Sequence, residues 1–220
     1  MSGELNSTHG PAARLRGWVS ALWGLVFSLI PVLPATADPV FLAEPAPLLA
    51  TVDTRSVTIA ELGIAAAVET LASDGAYRQV AVTGWARPGA ERVLFAWPGK
   101  QVIVARLPRA QTGRLVPVAR ETDPDTGTDW VEMRLEGWVA EAALRPSRTP
   151  IWEAAWALFA TSCTACHERR VPENYTANQW RSYLKVMGPR TGLPEESQAL
   201  ILAFLQRHAS DTIHIEEARP

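Results

Sequence analysis

Between residues 40 and 144 the chain is a succession of short apolar runs broken by Gly, Pro and Asp. Runs at 79–83, 92–96, 101–107, 114–119 and 130–135 have the length of strands, and several alternate apolar with polar positions. That alternation places one side of each strand on a core and the other in water. Asp123-Pro124-Asp125-Thr126-Gly127 has the residues of a tight loop between two strands. The segment predicts a small antiparallel β barrel or sandwich. After residues 145–150, where two prolines flank Ser and Arg, the period changes. Trp152, Ala155, Trp156 and Phe159 recur at the spacing of one helix face. Thr176-Ala177-Asn178-Gln179 has the form of a capping box, with Thr176 as N-cap, and opens a helix that runs to about Val186. Gly188 and Pro189 stop it. Pro194 opens a last helix, with Glu195 and Glu196 suited to its first turn and an end near Ala209.

A two-copy repeat lies inside the β segment. The stretch from Tyr77 to Gly84-Trp85 and the stretch from Trp130 to Gly137-Trp138 each carry an aromatic residue, a strand, then Gly-Trp at the same offset. The pattern resembles bacterial SH3-like domains; two edge strands with core tryptophans describe it equally well. The expected fold class is α+β: a small antiparallel SH3-like domain over residues 38–146, then an all-α domain over residues 149–220.

Composition narrows the function. A formal net charge of -2 across 220 residues gives no footprint for nucleic acid. The β segment has no histidine, no Ser-His-Asp set and no glycine-rich phosphate loop. At the N-terminus, Arg14 and Arg16 precede an apolar run over residues 18–33, then Pro34 and Ala35-Thr36-Ala37. These are the parts of a secretory signal, residues 1–37, with cleavage expected after Ala37. The rival reading is a retained membrane anchor, which the short run and Pro31 disfavour. Either way, the chain from Asp38 onward is expected outside the cytoplasm, in the periplasm.

The only two cysteines lie in Cys163-Thr164-Ala165-Cys166-His167. This is the attachment pattern of a c-type haem: two thiols three residues apart reach the vinyl groups of one porphyrin, and the adjoining imidazole is the proximal iron ligand. A thioredoxin-like pair would follow a strand, whereas a Trp-rich amphipathic helix precedes these cysteines. A zinc site from Cys163, Cys166, His167 and His208 fits no familiar ligand spacing. The segment 149–220 is also small for an unaided core, so haem is expected to complete it. For the distal ligand the downstream candidates are Met187, His208 and His214. Met187 stands where a helix ends and is favoured; its alternative role is core filling. His208 is the alternative ligand, or else a solvent-facing cation at a helix C-terminus. Trp152, Trp156 and Trp180 are candidates to pack near the porphyrin, or simply core. Arg169, Arg170, Arg181, Lys185 and Arg190 outnumber Glu168 and Glu173 in this stretch, a rim suited to an acidic redox partner or merely a solvated face.

Cys163 to His167, the Pro172 segment, Thr176 to Trp180, Met187 and the Glu195-rich helix together resemble the C-terminal monohaem domain of a known family. These are the multihaem c-type cytochromes that donate electrons to periplasmic trimethylamine N-oxide and dimethyl sulfoxide reductases. The preceding β segment, with Val82-Thr83-Gly84-Trp85 and Gly99-Lys100, resembles the region before that haem. The resemblance implies covalent haem at Cys163 and Cys166, His167 proximal and Met187 distal. It implies a one-electron carrier in anaerobic respiration, not an enzyme, with a donor and a molybdenum-containing reductase as partners. No further Cys-x-x-Cys-His occurs, so the family's quinol-oxidising tetrahaem part is absent from this sequence. Two other functions compete: a haem-based ligand sensor, which needs an open sixth position, and an interaction module in which haem is only structural.

Overall fold

The computed structural model describes residues 38–53, 55–124, 126–164 and 168–217. The expected signal segment, Cys166 and His167 lie outside them. Among the described residues ten strands come first: β1 (Val40–Leu42), β2 (Ala46–Leu49), β3 (Thr58–Leu62), β4 (Ala67–Asp74), β5 (Tyr77–Ala86), β6 (Val93–Trp97), β7 (Lys100–Arg106), β8 (Val116–Thr122), β9 (Asp129–Ala140) and β10 (Leu144–Arg145). Four helices follow among the described residues: α1 (Thr149–Ser162), α2 (Ala177–Met187), α3 (Glu195–Arg207) and α4 (Ile213–Glu217). The expected run at 114–119 begins two residues late as β8, because Arg109–Arg114 wind into a 3-10 turn.

The two copies of the repeat are β5 and β9, and they pair with each other along their length, from Tyr77 opposite Ala140 to Ala86 opposite Val131. Each then changes partner on its outer edge. β5 meets β4 along its first half and β6 at Trp85; β9 meets β8 near its start and β2 at Trp138. The order β5-β6-β7-β3-β2-β9 therefore closes on itself as a barrel, with β4, β1 and β10 continuing from β5 and β8 flanking β9. The repeated glycines allow this. A Cβ on Gly84 would sit 2.6 Å from Val104 Cγ2, and one on Gly137 would sit 2.7 Å from the Leu49 carbonyl oxygen. Leu42, Leu48, Ile59, Leu62, Val80, Val82, Leu94 and Leu135 fill the interior and are fully buried.

Pro150 lies in the first turn of α1, where its missing N–H costs nothing. Its buried face is Ile151, Ala155 and Phe159, whereas Trp156 is 40% exposed. The Arg169 guanidinium covers that indole at 4.5 Å, so the ring sits under a cation rather than in the core. α2 begins with the expected capping box: the Gln179 amide donates to Thr176 Oγ1, and the Thr176 amide donates to Gln179 Oε1. α3 follows Pro194 with Glu195 and Glu196 in its first turn. α4 lies in a stretch that reads as polar tail in the sequence.

A polar seam fastens the helices to the barrel. The Gln101 amide donates to Asn178 Oδ1 at 2.7 Å, and Asn178 Nδ2 donates to the Gly99 carbonyl at 2.9 Å. The buried Gln206 side chain donates to the carbonyls of Gln101 and Ala177. Asp211 accepts from the Ala177 amide and pairs with Lys100 at 2.8 Å. One continuous apolar cluster runs from the barrel interior to Trp180, Ile201 and Leu205. The helical segment thus shares a core with the barrel, which offsets its small size.

Candidate functional site

The end of α1 and the length of α2 face each other across an apolar cavity of about 440 Å³. Its walls are Phe159, Trp180, Leu184 and Met187, with Cys163 and Ser162 at the α1 end. Trp180 is 1% exposed. Its indole N–H donates to the Pro172 carbonyl at 2.9 Å, which satisfies the one polar atom of the ring inside the wall. Phe159 meets it edge to face at 6.2 Å, and Tyr175 does so at 5.0 Å on another side.

Cys163 is not inside the helix. α1 ends at Ser162, and Cys163 is its C-cap, with its amide donating to the Phe159 carbonyl at 3.1 Å. Burial pushes its thiol up from the ordinary value, which keeps it protonated at neutral pH. Met187 is the last residue of α2 and half-buried. The structure therefore brings Cys163 and Met187 to one cavity.

His208 lines a different place. It caps α3, with Phe204 at 4.1 Å, Trp152 at 5.5 Å and its Nδ1 2.8 Å from the Phe204 carbonyl. The ring is half-buried against Trp152 and Phe204 rather than solvent-facing, while its Nδ1 meets a carbonyl at the helix C-terminus as the alternative reading has it. Of the three tryptophans considered, Trp180 lines the cavity, while Trp152 packs on Phe204 and Trp156 on Arg169.

The basic stretch is dispersed. Arg170 and Arg190 line the cavity. Arg181 instead faces a second cleft with Arg106, whose pKa is lowered first by burial and then by the Arg181 charge. Tyr175 and Tyr183, which the sequence reading does not single out, hold Arg170 beneath its guanidinium. Nothing in their spacing signals this, because it depends on how the chain after Arg170 folds back.

A flat apolar macrocycle fits such a place. The volume is within the range of cofactor sites, about 300–1,000 Å³. The walls are aromatic and aliphatic, and the sulfur atoms present suit a c-type haem: a thiol for attachment and a thioether as a soft iron ligand.

Comparison with known proteins agrees with this class. Residues 34–144 match the family described as the TorC third cytochrome c domain, and the chain belongs to that family. The matched stretch takes in the barrel strands and contains neither cysteine nor histidine. Two relatives, each a cytochrome c-type protein TorC, come from Escherichia coli O157:H7 and from Escherichia coli strain K12. Each is 31% identical over 67% of this chain and 38% of its own length. A cytochrome c-type protein TorY from Haemophilus influenzae is 28% identical over 63% of the chain and 38% of its own length. The chain thus spans well under half the length of these relatives. No solved structure matches. Among the described residues no helix is long and apolar enough to cross a membrane.

Proposed function

We propose that this chain is a periplasmic c-type cytochrome that carries single electrons, with one haem attached through Cys163 and Cys166 and ligated by His167 and Met187. The observation that carries the reading is the meeting of Cys163 and Met187 in one apolar cavity. Bound there, the haem supplies one reversible electron; the protein's part is to hold it, exclude water and set its potential. Phe159, Trp180 and Leu184 exclude water from its faces, and a dry surround with a thioether ligand favours the reduced iron. The placement of His208 in its own aromatic stack further supports Met187 over it.

The reading continues to the whole chain. Residues 38–146 form an SH3-like domain and residues 149–220 a cytochrome c-like haem domain, the first bracing the second through the seam at Asn178. By kinship with the TorC and TorY proteins, the electrons go to a periplasmic molybdenum-containing N-oxide or S-oxide reductase, and a separate donor supplies them. An optical comparison of wild type and Met187→Ala tests it. The oxidised wild type is expected to show the long-wavelength band of a sulfur-ligated ferric haem, and the variant to lose it. A haem spectrum unchanged by the substitution overturns the ligand assignment, and absence of covalent haem overturns the function.

A further inference from the structure

Beyond its sulfur atoms, the cavity is lined by two cations, Arg170 and Arg190. Arg170 is held in place by aromatic rings: its guanidinium lies 5.2 Å from the Tyr175 ring centre and 5.5 Å from that of Tyr183, and it donates to the Tyr175 hydroxyl. Arg190 stands in the 3-10 turn directly after Met187. Among the described residues no Asp or Glu lines the cavity. Among the described residues neither arginine has an ion-pair partner. Two guanidinium groups beside an apolar cavity call for a ligand with an apolar body and two carboxylates at its edge, because the planar fork of Arg matches a carboxylate in charge and shape.

We propose that Arg170 and Arg190 bind the two propionate carboxylates of the haem. The inference rests on reading the cavity as the haem site. Tyr175 and Tyr183 pre-orient Arg170, so less side-chain freedom is lost when the carboxylate arrives. The pairing also acts on the iron. An unpaired propionate stabilises the ferric state by its negative charge; a guanidinium on it cancels that charge and raises the reduction potential. Arg169 supplies the contrast, since it is adjacent in sequence but stacks on Trp156 and does not line the cavity.

The test is a redox titration of the haem-loaded full chain, with haem content measured in parallel, for Arg170→Gln, Arg190→Gln, Arg170→Lys and Arg169→Gln. Both glutamine variants at the cavity are expected to shift the midpoint potential downward. Arg170→Lys is expected to recover most of that shift, and Arg169→Gln to shift it far less. Should Arg170→Gln fail to fold or load, the exposed Arg190→Gln decides alone. Full haem loading with unchanged potentials overturns the propionate assignment and leaves the electron-carrier reading standing. A shift from Arg169→Gln as large as the others also overturns it, since a general surface charge would then suffice. Wild-type protein without haem overturns the functional reading, and this one with it.

Discussion

Asn178→Ala removes both ends of the bridge between α2 and the turn joining β6 to β7. The amide of Gln101 loses its acceptor at 2.7 Å, and the Gly99 carbonyl loses its donor at 2.9 Å. Each bond is worth about 1 kcal/mol net, and a stranded buried group costs about 1–3 kcal/mol. The site is only half-buried, so water recovers part of the loss and the expected destabilisation is about 2 kcal/mol. Asn178→Asp keeps the acceptor for Gln101 but sets an oxygen against the Gly99 carbonyl, and is expected to cost about 1 kcal/mol. Urea unfolding of the haem-loaded chain, followed by far-UV circular dichroism and tryptophan fluorescence, reads both. With an m-value of about 2 kcal/mol/M, the alanine variant moves the midpoint down by about 1 M at unchanged slope. A midpoint shift below about 0.2 M would show that the bridge carries no coupling. Separate transitions by the two probes in wild type would show that barrel and helices do not unfold as one unit.

Two further outcomes follow from local geometry. Gly137→Ala drives a Cβ to 2.7 Å from the Leu49 carbonyl oxygen, which belongs to backbone and cannot swing away; a loss of about 2–3 kcal/mol is expected by thermal or urea unfolding. In a haem-free Cys166→Ser variant, the buried Cys163 thiol holds its proton more tightly than a free thiol. Its alkylation rate is expected to rise only at higher pH than that of the unfolded chain. The stability this thiol contributes is present below the ordinary thiol pKa and is lost as pH rises through the raised one; an alkylation profile identical in the two states would refute it.

Local signals in the sequence were enough for some of this structure. The capping box at Thr176, the stop at Gly188 and the start at Pro194 are short-range chemistry, and they mark α2 and α3 within a residue or two. The apolar runs at 79–83, 92–96 and 101–107 fall within or across β5, β6 and β7. β1 to β4 were not individually legible. β1 is three residues long, β2 contains Pro47, and both are strands because their neighbours pair with them. The Gly-Trp repeat was visible, but not that its copies pair with each other, since that requires the barrel to close. At the site, Cys163 and Met187 were readable by residue type. The aromatic support of Arg170 and the burial of Gln206 and Arg207 were not, because a polar residue is buried only when distant chain supplies its surroundings.

The polar seam also bears on the order of events as the chain folds. Its bonds join Gln101 to Asn178 across 77 residues and Gln206 to Gln101 across 105. Barrel closure needs equally distant partners, Leu49 on Trp138 and Phe41 on Arg145, so seam and barrel bear a similar loop-closure cost. The contact of Phe159 with Trp180 joins residues much nearer in sequence, and it does not need the seam in order to form. Tightening the seam would therefore hold the helices more firmly to the barrel without governing when Phe159 and Trp180 meet.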